Sequence, residues 1–227
     1  LRKTKTLLKL LALAPRHRLQ REELMEILWP EQDPEAAANN LHKVIFFARR
    51  ALEPGLPRST PSAYIHLEWN TVVLDARGGI RVDVDEFERA AAVAHDTGEP
   101  AAYAAALELY AGDLLPEDRY EDWAIGRRDA LEGQYITLLL ELAAIQQKRG
   151  MPYAAIDALS RVVAYEPIHE EAQLGLMRLY ARTGQRHLAL RQYQHLQAAL
   201  KRELDLEPAP VSTQLYRDLV TGASTAA

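Results

Sequence analysis

The chain has 227 residues, 48% hydrophobic and 26% charged, with a formal net charge of −5; this supports one large or two ordinary domains with real cores and excludes chain-wide disorder. The absence of cysteine excludes a disulfide scaffold, a thiolate metal site and a cysteine nucleophile, and makes a reducing compartment, the cytoplasm, the expected location. No apolar run approaches the ~20 residues that cross a bilayer, and the start lacks a signal peptide, so no membrane association is expected. Because the sequence opens on Leu1 rather than Met, it is expected to be part of something longer.

From the N-terminus, Leu7, Leu10, Leu11 and Ala14 recur at helical spacing and Pro15 ends the run, predicting a helix over Lys3 to Ala14. After the basic break Pro15-Arg16-His17-Arg18, a second helix is predicted over Gln20 to Trp29, with Leu24, Ile27 and Leu28 on one face and Pro30 closing it. Asp33-Pro34-Glu35 then combines an N-cap acceptor, a first-turn proline and an acid near the positive dipole end. The third helix, 34–52, buries Leu41, Ile45, Ala48 and Leu52 at steps of four, three and four.

Prolines and glycine make Glu53 to Ser62 a loop. Tyr64 to Trp69 alternates, Asn70-Thr71 turns, and Val72-Val73-Leu74 returns, predicting a hairpin over 64–75. Asp75-Ala76-Arg77-Gly78-Gly79 breaks the pattern, Ile80-Arg81-Val82 reads as extended, and Asp83 or Asp85 can cap a new helix. The domain boundary is placed there, giving units 1–80 and 81–222. Their charges differ: residues 1–80 hold 12 Lys/Arg against 9 Asp/Glu, a net of +3, and residues 81–227 hold 15 against 23, a net of −8. A mildly basic module tied to an acidic one suits a DNA reader attached to a protein-binding domain.

From Phe87 onward the pattern is helical. Gly150 and Gly184 lie 34 residues apart, as do Ala155 and Ala189, and Leu159 and Tyr193. That period predicts tetratricopeptide-like helix pairs. Each glycine turns the chain within a pair, Ala155 and Leu159 pack on the second helix of the first pair, and Pro167 stops it. The second pair contains Tyr180 before Gly184 and runs through Lys201, and a degenerate earlier pair surrounds Gly98, with Leu107 and Tyr110 following. Of Tyr153, Tyr165, Tyr180 and Tyr193, most are expected in the repeat core rather than lining a peptide groove.

Several strings in this order resemble one family. They are Glu22-Glu23-Leu24 to Leu28-Trp29-Pro30, Asn39-Asn40-Leu41 to Arg49-Arg50-Ala51-Leu52, Val82-Asp83-Val84-Asp85-Glu86-Phe87, Gly112-Asp113-Leu114-Leu115-Pro116 with Tyr120-Glu121-Asp122-Trp123, and Glu203-Leu204-Asp205-Leu206-Glu207-Pro208. The family is the bacterial antibiotic-regulatory activators, which join an OmpR-type winged helix to a bacterial transcriptional activator domain. The resemblance implies a mainly α protein: a winged helix-turn-helix with a small β-hairpin wing, then an all-helical tetratricopeptide-like domain. The OmpR-type unit carries an antiparallel sheet before its first helix, and this sequence opens directly on that helix, so the winged helix is expected to be truncated. The implied function is transcription regulation, as an activator. Helix 34–52 and the hairpin would contact double-stranded promoter DNA, and the helical domain would engage RNA polymerase or a regulatory protein, or self-associate.

On helix 34–52 the expected DNA contacts are Asn40, His42, Lys43 and Phe47 in the major groove, with Arg49 and Arg50 on phosphates. Asn pairs with adenine and Lys donates to guanine, whereas Phe46 and Phe47 offer only apolar contact, as to thymine methyls. Arg16, His17 and Arg18 are expected to be solvated. With no Lys or Arg at the hairpin tip, Trp69 is expected to pack on the body of the domain. The alternative reading is a protein-interaction module of a larger signalling protein that no longer reads DNA.

Nothing points to an enzyme. The sequence has no Gly-rich phosphate loop, nucleophile elbow or His pair flanking a Glu. His187 and His195 stand two helical turns apart, too far for one metal, and capping accounts for Asp83 or Asp85. No metal and no cofactor are expected.

Overall fold

The structure is a computed structural model and describes residues 2–57, 60–75 and 79–222. The loop at 53–62 and the breaker at 75–79 therefore fall partly outside the described residues. The chain divides into two compact units, residues 1–86 and 87–227.

In the first unit, α1 (Arg2–Leu13) buries Leu7, Leu10 and Leu11. Pro15 ends it in a single 3-10 turn, Pro15–His17, where Arg16 and His17 both take left-handed backbone, φ 56° and 55°. Side chains hold this uncommon geometry. The His17 ring joins the Ala12 carbonyl through Nδ1 at 3.0 Å and the Asp85 carboxylate through Nε2 at 3.1 Å. The chain then forms a strand the sequence did not suggest, β1 (Arg18–Gln20), before α2 (Arg21–Leu28). The third helix, α3 (Pro34–Leu52), starts as its sequence dictates: Asp33 Oδ1 accepts from the Ala36 amide at 3.0 Å with Pro34 in the first turn. It buries Ala37, Leu41, Ile45 and Ala48, while Leu52 is left exposed at its end.

The hairpin strands are β2 (Ile65–Glu68) and β3 (Thr71–Leu74). With β1 they form an antiparallel sheet ordered β1-β3-β2. One face places Ile65, Val72 and Leu74 in the core against α1 and α3. Three helices, a short strand after the first, and a closing hairpin constitute a winged helix. No sheet precedes α1 in these residues.

Helix α4 (Asp83–Thr97) starts at the end of the first unit and continues into the second, where α5 (Pro100–Leu109), α6 (Asp122–Lys148), α7 (Pro152–Tyr165), α8 (Glu170–Arg182), α9 (Arg186–Leu204) and α10 (Pro210–Thr221) follow in order. The 34-residue period is reproduced bond for bond. After α6, Gly150 N–H donates to Gln147 and Met151 N–H to Gln146, at 3.1 and 2.9 Å; after α8, Gly184 donates to Ala181 and Gln185 to Tyr180, at 3.1 and 2.8 Å. This is the Schellman pairing, which needs a left-handed residue; Gly150 and Gly184 have φ of 72° and 76°. Replacing Gly150 or Gly184 with Ala should each cost about 1 to 2 kcal/mol, since a Cβ is disfavoured there. Urea unfolding of the single variants measures it, and wild-type midpoints would refute the assignment.

Ala155, Leu159, Ala189 and Tyr193 are buried at their matched positions on α7 and α9. The earlier pair exists too, with Gly98 left-handed between α4 and α5 and Leu107 buried. At the far end α10 packs Leu219 onto Met177, Ala189 and Tyr193, with Tyr216 stacked on Tyr193 at 4.3 Å between centroids. Arg186 closes that end by donating to the Leu219 and Val220 carbonyls at 2.6 and 2.9 Å. Of the four tyrosines expected mostly in the core, Tyr193 is buried, Tyr165 and Tyr180 are half-buried, and Tyr153 is exposed.

Tyr110, Tyr135 and Tyr165 meet in one cluster joining the end of α5 to α6 and α7. Tyr110 stacks on Tyr135 at 4.3 Å, the Tyr110 and Tyr165 hydroxyls lie 3.0 Å apart, and Tyr165 donates to Asp113 at 3.2 Å. Arg161 donates to the Tyr135 hydroxyl at 3.1 Å. Burial, reinforced by the Tyr110 hydroxyl, raises the Tyr165 pKa well above the ordinary phenol range. Burial, helped by Glu141, pushes Tyr103 up to about 12. A raised folded-state value means that stability is fully present below the unfolded tyrosine value, about pH 10, and is lost as pH rises from there. The helical unit is thus expected to weaken above about pH 10, and Tyr103→Phe or Tyr165→Phe to flatten that decline in urea midpoints measured across the alkaline range.

Candidate nucleic-acid interface

Helix α3 and the hairpin form the candidate surface. On a helix each residue advances about 100°. The side opposite the buried stripe therefore centres on Asn39, Lys43, Phe46 and Arg50, at steps of four, three and four, and all four are exposed. Lys43 and Arg50, both expected contacts, belong to this arc. Asn39 and Phe46 belong to it as well and were not among the expected contacts; the complement of the buried stripe is the sequence signal that finds them.

The remaining expected residues flank the arc. Asn40 is half-buried on one flank, its amide donating to Gln32 Oε1 at 2.9 Å. Phe47, on the same flank, is exposed and meets Phe46 edge to face with centroids 5.5 Å apart. Arg50 lies over the Phe46 ring at 5.9 Å, a cation–π contact at a wet site. On the opposite flank His42 is exposed and its Nε2 lies 3.0 Å from Arg21 Nη2. Arg49 stands about 180° round the helix from Asn40. It is half-buried, and its Nε donates to the Ile65 carbonyl of β2 at 3.1 Å. The structure brings Lys43, Phe47 and Arg50 together with Phe46, and sets Asn40 apart from His42 and Arg49.

The hairpin is tied to the same surface. Arg21 N–H donates to the Asn70 carbonyl at 2.9 Å, and the Asn70 amide donates to Glu22. Since Arg21 also meets His42, the turn, the start of α2 and the middle of α3 form one connected ridge. Arg18 pairs with Glu68 across the sheet. Of the basic break, Arg16 and Arg18 are exposed, whereas His17 is held by Ala12 and Asp85 rather than simply solvated. The expected packing of Trp69 is overturned. Glu68 pairs with Thr71, so the loop residues are Trp69 and Asn70 rather than Asn70 and Thr71. Trp69 occupies the turn with φ 54°, and its indole is fully exposed.

Among the described residues no three His, Asp or Glu side chains gather to hold a metal, and no helix is long and apolar enough to cross a membrane.

The first unit is a winged helix and the second a stack of helix pairs. The chain belongs to the bacterial transcriptional activator domain family, whose profile matches residues 82–220, as the sequence resemblance implied. This is a family of transcription regulators rather than of enzymes. Among solved structures the chain is similar to one described as Mycobacterium tuberculosis EmbR in complex with low affinity phosphopeptide, with a TM-score of 0.68 and 20% identity. The match covers 99% of this chain and 60% of that one, so the present sequence spans well under two thirds of its neighbour's length. At that identity the likeness establishes the fold. No curated protein matches the sequence.

Proposed function

We propose that the protein is a sequence-selective DNA-binding transcription regulator, acting as an activator. Residues 1–80 form the DNA reader and residues 81–222 the unit that engages RNA polymerase or a regulatory protein, or self-associates. The observation that carries this reading is the exposed arc of α3, with Asn39, Lys43, Phe46 and Arg50 outward beside a wing tied to it. An exposed helix face of this width fits the major groove of duplex DNA. Asn39 and Lys43 supply donors for base edges, Phe46 and Phe47 supply apolar contact for thymine methyls, and Arg50 reaches the backbone. Asn40 and His42 widen the contact from the two flanks.

The test is a fluorescence-anisotropy titration of short duplexes enriched by the protein from a pool with a randomised centre, against scrambled duplexes, across a salt series. Selective binding that weakens with salt is expected, with Arg50→Ala reducing the log-log salt slope by about 1. Lys43→Ala should relax base preference and cost roughly 1 to 3 kcal/mol of discrimination. Absence of selective, saturable binding would overturn the reading.

A second reading, a protein-interaction module, is favoured by one observation: Phe46 on the outward arc and Phe47 on its flank form an exposed aromatic pair. Exposed apolar patches of this kind mark partner contacts. Under that reading Phe46→Ser/Phe47→Ser abolishes partner capture and Arg50→Ala leaves it unchanged.

A further inference from the structure

Trp69 carries two local costs at one residue. Its indole is fully exposed and its backbone is left-handed, φ 54°, a conformation disfavoured for any bulky side chain and suited in hairpin turns to Asn or Gly. The left-handed backbone closes the two-residue hairpin, but the exposed indole has no return inside the described chain: Trp69 makes no ring contact there, while its neighbour Asn70 supplies both turn contacts to α2. Asn or Gly would close the same turn at less cost, so what the turn does not require is the tryptophan side chain itself.

We propose that Trp69 is a base-stacking wedge: its indole enters the minor groove beside the α3 contact and opens a flexible pyrimidine–purine step. The inference rests on the DNA-reading proposal and deepens it. Duplex DNA is the occupant that charge and position favour. The turn is tied through Asn70 and Arg21 to His42 on α3, so a duplex seated on α3 also meets the tip. Residues 1–80 carry a net of +3, favouring a polyanion. The tip itself holds no cation for a phosphate, so its contribution must come from the indole. Apolar wedges unstack minor-groove steps, and pyrimidine–purine steps unstack at least cost. The indole N–H is a donor, and the minor groove offers the acceptors of A·T pairs.

The test compares wild type, Trp69→Phe and Trp69→Asn on the enriched duplex, reading affinity by anisotropy and bending by energy transfer between end labels. Asn suits the left-handed turn, so that variant should match or exceed wild type in urea stability. It should nevertheless bind about tenfold more weakly, with an unchanged salt slope and a straighter duplex. Trp69→Phe should retain most of the affinity and the bend. Moving the pyrimidine–purine step out of the wing site should remove the difference between wild type and Trp69→Asn. If wild type and Trp69→Asn bind and bend DNA alike, or if Phe is as damaging as Asn, the wedge is overturned while DNA reading stands. If wild type selects no duplex at all, the DNA reading falls and the wedge with it.

Discussion

Truncating Leu41 to Ala is expected to destabilise the first unit by about 3 kcal/mol, because a fully buried leucine loses both its transfer free energy and the packing around the cavity left behind. Leu41 is completely buried, as are Leu7, Leu11, Leu24 and Leu28 of the same unit. A loss of that size is a large share of the stability of a domain of this length. On the proposed DNA-reading function, binding should fall with the folded fraction, since α3 supplies both the buried stripe and the outward arc. The second unit has its own core, including Leu138, Leu139, Leu176 and Met177. Leu41→Ala should therefore shift the transition followed by Trp29 fluorescence in a background with the other two tryptophans replaced by Phe, and Leu176→Ala the one followed by Trp123 in the corresponding single-tryptophan background. If either substitution moved both transitions equally, the two units would unfold as one and the division of the chain would be wrong.

How far the fold was legible depended on whether its determinants were local. Asp33-Pro34-Glu35 starts α3 where the capping chemistry requires, and Leu41, Ile45 and Ala48 are buried on it. The glycine spacing marks the Schellman turns after α6 and α8 because only a residue without Cβ takes that backbone cheaply. Strand β1 escaped reading because three residues, Arg18 to Gln20, are too short for alternation; its strand character comes from pairing with Val72 and Val73 far along the chain. Trp69 was misread through a one-residue error in the turn. Placing the turn at Asn70-Thr71 made Trp69 a strand residue with a face to bury, whereas the Glu68–Thr71 pairing moves it to the tip. The candidate interface was legible as a helix but not as a face. Polar residue types picked out Lys43 and Arg50 on the outward arc, yet also Asn40 and Arg49 on opposite flanks.

Arg49 and Arg50 are neighbours in sequence with opposite surroundings, and substituting them should separate two kinds of loss. Arg49 is half-buried, with Nε donating to the Ile65 carbonyl. Ala there removes a charge-assisted hydrogen bond that joins α3 to β2 and leaves a partly covered carbonyl unpaired, at about 2 kcal/mol. The wing then loses a fixed position relative to α3, so DNA affinity should fall through misplacement of the hairpin while the salt slope changes little. Arg50 is exposed over the Phe46 ring. Ala there should leave unfolding nearly untouched, because surface contacts of this type contribute under about 1 kcal/mol, and should reduce the salt slope by about 1 if the guanidinium meets a phosphate. Urea unfolding and salt-dependent anisotropy on the two single variants make the distinction. A salt slope reduced by Arg49→Ala without loss of stability would mean that Arg49 leaves Ile65 to contact the duplex backbone, as the sequence pattern first suggested.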